Sequence, residues 1–110
     1  MTGFIARQGD VLIRSISEIP KGLVQVPRDS HGRVILAEGE QTGHAHAVLG
    51  EVEFLAADLR DMEQTFLRVE SEAEVVHEEH GTITLAPGDY EVIRQREYVN
   101  ADMAPIRVAD

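Results

Sequence analysis

Residues 44–56 read His-Ala-His-Ala-Val-Leu-Gly-Glu-Val-Glu-Phe-Leu-Ala, and this stretch decides the fold class. Apolar side chains recur at every second position on both sides of Gly50. A spacing of two places side chains on one face of a β-strand, whereas a helix needs a spacing of three to four. We therefore predict one strand over 44–49 and another over 51–56, with Gly50 ending or bending the first.

The same pattern continues outward in both directions. Short runs rich in Val, Ile, Leu and Phe are separated by turn residues such as Pro20–Gly22 and Pro87–Asp89. Further strands are predicted over 9–15, 23–26, 33–37, 66–69, 73–78, 82–85 and 90–98, and one helical turn over 57–62. About eight or nine short strands at roughly 8 to 12 residue spacing predict an all-β fold, a small antiparallel β-barrel or sandwich.

Length and composition indicate one ordinary folded unit. The chain has 110 residues, of which 43% are hydrophobic and 27% charged, a typical globular mixture. We expect a single domain over 1–110, in which residues 100–110 form a C-terminal tail that docks on the barrel or on a neighbouring subunit. The chain has no cysteine, so any metal ion must be held by nitrogen and oxygen ligands.

Charge restricts the classes of partner. Twenty acidic and ten basic side chains give a net charge of -10, which repels nucleic-acid phosphates and anionic membrane surfaces. The sequence lacks a basic leader, and no stretch approaches the roughly 18 apolar residues of a membrane span. We expect a cytoplasmic protein that binds neither nucleic acid nor membranes.

Histidines carry the main chemical signal. Four of the five form two pairs, His44 with His46 and His77 with His80. Residues two apart in a strand project to the same face, so His44 and His46 would lie side by side, and His77 would share a face with Glu79. If the two strands meet, the four histidines would bind a divalent transition metal, Zn, Fe, Mn, Ni or Cu. The alternative is that they are polar surface residues with local hydrogen bonds.

Part of the chain resembles a known family. Residues 39–46, Gly-Glu-Gln-Thr-Gly-His-Ala-His, followed by Glu51, resemble the first motif of the cupins, small β-barrels that commonly bind a metal inside the barrel. The resemblance implies a cupin-like barrel with His44, His46 and Glu51 as ligands.

The second cupin motif is echoed by Gly81 to Gly88, but Val92 stands where that motif has its histidine. The resemblance therefore implies that a further ligand comes from His77 or His80; the alternative is a site that is not of cupin type. The chain also resembles small bacterial proteins of no assigned function that carry the segments GHAH, HEEHG and RQREY.

Two classes of function remain open. In an enzyme, the metal would act as a Lewis acid or activate water or oxygen for a small-molecule ligand, with Glu51 or Glu79 as the candidate catalytic base. The alternative is a non-enzymatic, homo-oligomeric structural or accessory protein with histidines at an interface. We expect a homo-oligomer because unpaired strand edges must be closed, covered or paired.

A second candidate binding surface lies near the C-terminus. In a strand over 90–98, Arg94 and Arg96 share a face with the tyrosines at both ends, Tyr90 and Tyr98. Two arginines in that position would clamp an anion or stack on a ring. The alternative, which we favour, is that both form cross-strand ion pairs with the many glutamates.

Overall fold

The computed structural model describes residues 3–38 and 44–94, and within these ranges the protein is all β. Ten strands form two antiparallel sheets there. The strands are β1 (Ile5–Gln8), β2 (Val11–Ile16), β3 (Val24–Gln25), β4 (Val34–Glu38), β5 (Ala45–Leu49), β6 (Val52–Asp58), β7 (Asp61–Val69), β8 (Ala73–Val76), β9 (Ile83–Leu85) and β10 (Gly88–Arg94). The predicted all-β antiparallel class is confirmed.

The two sheets pack as a sandwich. The larger sheet has the strand order β1-β2-β10-β7-β6-β3, and the smaller has the order β4-β5-β8-β9. In a closed barrel every strand has a neighbour on both sides. Over the described ranges each sheet instead has two outermost strands, so the predicted sandwich fits and the predicted barrel does not. The strand that carries His46, β5, lies inside the smaller sheet between β4 and β8.

Alternate residues of both sheets form one apolar core. On the larger sheet the register places Val92 beside Ile13 and Thr65, and Phe54 beside Leu67, all facing inward. The smaller sheet contributes apolar side chains from all four of its strands. Its core members are Val34, Leu36, Ala37, Val48, Ala73, Val75 and Leu85, with Ile83 packed against them. The spacing of two is the spacing of core contacts on the larger sheet, whereas in β5 the core member is Val48 and not the apolar residues at 45, 47 and 49.

Two predicted elements are wrong. The first strand does not begin at Gly9, because Gly9 and Asp10 form a two-residue turn between β1 and β2. Gly9 has a φ of +58°, which glycine adopts without a Cβ clash and which suits the first position of a hairpin turn.

The predicted helical turn over 57–62 is a second hairpin. Strand β6 extends to Asp58, and β7 already begins at Asp61. The Asp58 carboxylate accepts a hydrogen bond from the Arg60 backbone N–H at 2.9 Å, which stabilises a tight turn instead of a helix. The predicted tail over 100–110 and the end of the predicted strand 90–98 lie outside the described residues. No helix in the described part of the chain is long and apolar enough to cross a membrane.

The core contacts lead to a test of the fold. Leu67 is fully buried between the sheets, whereas Leu59 lies in the β6–β7 turn with 49% of its surface exposed. We expect Leu67→Ala to lower the free energy of unfolding by about 2–5 kcal/mol through lost contacts and a cavity. The matched variant Leu59→Ala should cost no more than about 0.5 kcal/mol. Equal costs in urea denaturation would contradict this description of the core.

Candidate metal centre

The side chain of Gln8 connects the two sheets. Gln8 is buried at the end of β1, and its Nε2 donates hydrogen bonds to the backbone carbonyls of Val75 at 3.0 Å and Gly81 at 2.8 Å. Because carbonyl oxygens only accept, the amide nitrogen must face them, and the Gln8 Oε1 is directed to the opposite side. There it lies 2.8 Å from Nδ1 of His46.

This contact determines the tautomer of His46. An amide oxygen cannot donate, so Nδ1 of His46 must carry the proton, and Nε2 keeps its lone pair. The Nε2 atom lies 3.6 Å from Oδ1 of Asp10, the second residue of the β1–β2 turn. Two ligand atoms on one tetrahedral ion are separated by about 3.4 Å, given metal–ligand bonds of about 2.1 Å. The spacing between His46 and Asp10 therefore suits a shared metal ion.

Burial keeps His46 neutral. Only 2% of the residue is exposed. The pKa of His46 is lowered to about 4 from its ordinary 6.5. The largest cause is this desolvation, and the second is the positive charge that His77 would carry. The Asp10 carboxylate acts in the opposite direction. At neutral pH the ring is thus uncharged, which is the form that binds metal ions.

The other three histidines of the two pairs lie close by: His77 and His80 lie next to His46, and His44 lies next to His77. Because β5 pairs with β8, His77 lies directly after the strand that neighbours His46, and the two ring centroids are 4.3 Å apart. The ring of His44 lies 5.7 Å from that of His77. The ring of His80 lies 4.7 Å from His77 and 6.1 Å from His46. The two predicted pairs, which we call the histidine cluster, therefore meet in space.

Carboxylates surround the exposed side of the histidine cluster. Ligand atoms of His44, His77 and Glu78 all lie within 4.8 Å of one another. Glu78 accepts the Ala45 backbone N–H at 3.1 Å, and this bond holds the pKa of its carboxyl below the usual range. The Glu79 carboxylate lies 3.9 Å from Nδ1 of His44. Imidazoles and carboxylates together can hold a divalent transition metal.

His77 is also held by a local bond. Its Nδ1 accepts a hydrogen bond from the backbone N–H of Glu79 at 3.0 Å. In the neutral ring the proton must then be on Nε2, the opposite arrangement to that of His46. The predicted common face of His77 and Glu79 is replaced by this turn, because β8 ends at Val76.

Sequence reasoning missed four residues of the site, which are Gln8, Gly9, Asp10 and Glu78. An ideal Cβ on Gly9 would lie 2.9 Å from Nε2 of His80 and 3.4 Å from Cε1 of His46, so the turn packs directly against both rings. The signal for Gly9 and Asp10 is the Gly-Asp pair between two runs of β-forming residues, a typical hairpin pattern. Nothing in the sequence marks Gln8.

Two other predicted site residues, Glu51 and Arg94, lie outside the histidine cluster. Glu51 is exposed in the turn that follows β5, five residues beyond His46, which corresponds to about 16 Å along an extended strand. Arg94 is half-buried, and its Nε donates a hydrogen bond to the Met62 carbonyl at 3.0 Å. Arg96 lies outside the described residues. The fifth histidine, His31, is exposed in a turn.

A surface cavity borders the histidine cluster on the smaller sheet. It has a volume of about 230 Å³ and is lined by Arg33, Ala45, Ala47, Val76, His77 and Glu78. Two of its six lining residues are alanines of β5, which have short side chains. The cavity therefore lies against two of the groups that could hold a metal.

The contact between Gly9 and His80 leads to a prediction. Both Gly9→Ala and Gly32→Ala introduce a side chain at a positive φ, and each should lower the free energy of unfolding by about 1–3 kcal/mol. A Cβ on Gly32 meets no atom within 4 Å, whereas one on Gly9 meets the His80 ring. We expect only Gly9→Ala to shift the ring resonances of His80 in NMR spectra. Unchanged His80 resonances in that variant would contradict the contact.

The buried state of His46 predicts how stability depends on pH in metal-free protein. Below pH 6.5 the unfolded chain takes up a proton at His46, whereas the folded chain does so only near pH 4. The unfolded state then binds more protons, so the free energy of unfolding falls by roughly 2–3 kcal/mol from pH 6.5 to 4. Urea denaturation with a chelator present should show a flatter pH profile in His46→Gln. Parallel profiles would contradict the buried neutral ring.

Comparison with known proteins gives one match. The family model described as Domain of unknown function (DUF8820) matches residues 7–95. No curated protein and no solved structure matches the chain. The matched range includes all four residues of the histidine cluster as well as Gln8, Gly9 and Asp10.

Proposed function

The chain belongs to the DUF8820 family, whose description gives no function, and from the site itself we propose that this protein binds a divalent transition-metal ion at the histidine cluster. The ligands would come from His44, His46, His77 and His80. The observation that carries the proposal is the state of His46, which is buried and neutral, with Nδ1 bonded to Gln8 and the Nε2 lone pair directed towards Asp10.

The arrangement around His46 is typical of metal-binding histidines. Such residues commonly donate their second ring N–H to a carbonyl or carboxylate oxygen, which orients the ring and raises its basicity. Gln8 Oε1 supplies that acceptor here, and Gln8 is itself held by two backbone carbonyls. If His46 were only a polar residue of the core, the three further imidazoles of the histidine cluster would add little to stability.

The donor set suits Zn, Fe, Mn, Ni or Cu, because imidazole and carboxylate ligands serve all of them. The nearby carboxylates of Asp10, Glu78 and Glu79 would offset the charge of the ion. The cupin resemblance remains a prediction. Of the ligands that it implies, His44 and His46 belong to the histidine cluster, while Glu51 lies beyond the other end of β5.

A catalytic use of the ion would need a substrate space and a base. The cavity of about 230 Å³ beside His77 supplies the space for a small-molecule ligand. Glu79, exposed and 3.9 Å from His44, is the better placed of the two predicted bases. To act as the catalytic base, Glu51 would need a substrate that extends along the whole of β5.

A homo-oligomeric accessory role is the second candidate, and the edge of the larger sheet favours it. Strand β1 is outermost in that sheet over the described residues, and Ile5 on it is 66% exposed. An exposed edge with a large apolar side chain can pair with another copy of the chain. Metal binding and assembly are compatible, so both are measured on the same samples.

Elemental analysis of untagged protein tests metal binding directly. We expect at least one equivalent of a transition metal per chain, or uptake of added Zn²⁺ by metal-free protein. Saturating metal at 100 times its dissociation constant should raise the free energy of unfolding by about 2.7 kcal/mol. The double variant His44→Ala/His46→Ala should lose metal and this stabilisation together.

Two further variants control for folding and specificity. Because His46 is buried, the more accessible pair His44→Gln/His80→Gln serves as a second test that disturbs the core less. His31→Ala removes the one histidine outside the cluster and should bind metal like the wild type. Metal-free protein that takes up no Zn²⁺ would overturn the proposal, and light scattering on the same variants reports whether they alter assembly instead.

A further inference from the structure

We propose that the cavity beside the histidine cluster binds a small organic acid, with its carboxylate on Arg33 and a second oxygen group on the metal ion, an inference that rests on the proposed metal binding. The ion would lie at His44, His77 and Glu78, whose ligand atoms are within 4.8 Å of one another. His77 and Glu78 also line the cavity, and so does Arg33. One small space therefore borders both the metal ligands and an arginine.

The cavity lies on the outer face of the smaller sheet. In the register of β5 and β8, Val48 pairs with Val75, and Ala47 pairs with Val76. The first pair belongs to the core, and side chains alternate along a strand, so the second pair faces outward. Because Ala47 and Val76 line the cavity, a ligand can enter it without opening the sandwich.

Arg33 is held in place by Asp29. The Asp29 carboxylate accepts the backbone N–H of Arg33 at 2.7 Å and its Nε–H at 2.9 Å. Within the described part of the chain, no hydrogen bond uses the two terminal nitrogens of Arg33, and 44% of this side chain is exposed. Two parallel N–H bonds from a guanidinium are the strongest way to hold a carboxylate. The terminal nitrogens of Arg33 can supply them.

The metal ion would change the charge of the cavity. Without an ion, the carboxylate of Glu78 opposes the charge of Arg33. A dication held by two neutral imidazoles and one carboxylate keeps a net positive charge, so the loaded cavity has two cationic groups. Three protein ligands also leave a coordination position for an oxygen of the acid. Binding of the acid and of the metal should therefore strengthen each other.

The size and the remaining lining of the cavity indicate the class of ligand. Its volume of about 230 Å³ is below the roughly 300–1,000 Å³ of pockets for drug-sized molecules, so the ligand must be small. The other lining residues are apolar, and they are Ala45, Ala47 and Val76. Such side chains favour a short hydrocarbon segment, which inorganic phosphate lacks. A short-chain acid with a second oxygen group fits these features.

Succinate and butyrate are matched probes, because they have the same carbon chain and only succinate carries a second acid group. In calorimetry on Zn²⁺-loaded, untagged protein, we expect succinate to bind at least about tenfold more tightly than butyrate. Metal-free protein should lose most of this preference. Saturating succinate should raise the affinity for Zn²⁺ by the same factor by which Zn²⁺ raises the affinity for succinate, after correction for their complex in solution.

Arg33→Gln tests the arginine, and Arg60→Gln is its matched control. In both turns an aspartate accepts the backbone N–H and the Nε–H of the arginine, and Asp58 does so for Arg60, which lies outside the cavity lining. Arg33→Gln should lower the preference for succinate by at least about tenfold, without weakening Zn²⁺ binding in the absence of acid. Arg33→Lys keeps the charge without the paired nitrogens and should restore only part of the preference.

The backbone amide of Glu79 reports metal binding separately from binding of the acid. His77 accepts this N–H through Nδ1. A metal at Nδ1 displaces that bond, and a metal at Nε2 drives the proton to Nδ1 with the same result. In ¹H–¹⁵N NMR we expect Zn²⁺ to shift the Glu79 amide in wild type and in Arg33→Gln alike. Succinate should then shift the amides of Ala47 and Val76.

The outcomes separate this inference from the proposed function. Uptake of Zn²⁺ with equal affinities for the two acids, or with a preference that Arg33→Gln leaves unchanged, would overturn the organic-acid site and leave metal binding intact. An equal loss of preference in Arg60→Gln would overturn the role of Arg33. Inorganic phosphate that binds as tightly as succinate would overturn the class of ligand. No uptake of Zn²⁺ at all would overturn both proposals.

Discussion

The side-chain amide of Gln8 bonds to three groups from three separate parts of the chain. It reaches Val75 in β8, Gly81 in the following turn and His46 in β5, which are 67, 73 and 38 residues away in sequence. These bonds join the β1–β2 hairpin of the larger sheet to the smaller sheet. They also orient His46, so the geometry of the histidine cluster depends on one buried amide.

Such an arrangement is costly unless every polar atom is bonded. Among the described residues, no buried side-chain nitrogen or oxygen lacks a hydrogen-bond partner. The amide of Gln8 is thus fully hydrogen-bonded next to an apolar core, and His46 is kept neutral beside it. Elsewhere the acidic chain pairs its carboxylates with cations, as Glu91 does with Arg14 and Asp89 with Arg68. Around the histidine cluster the carboxylates instead contact imidazoles and a backbone N–H.

Several features of the site and of the fold could be predicted from the sequence. The position of His46 on a strand follows from local spacing, whereas His44 directly precedes β5. The Gly-Asp pair at residues 9–10 is a hairpin signal that indicates a strand before it, which was not predicted, and moves the start of the first predicted strand to Val11. The helical turn predicted over 57–62 failed for a similar reason, because a two-residue turn bonded by Asp58 leaves both neighbouring segments extended.

The sequence by itself determined the all-β class, most of the strands and the two histidine pairs, because these depend on covalent geometry between near neighbours along the chain. Only the tertiary structure decided that β5 lies beside β8, that Gln8 bonds to His46, and that Glu51 falls outside the histidine cluster. Each of these depends on which distant segments pair across the sandwich. Periodicity gives the face of a side chain but does not specify the strand opposite it.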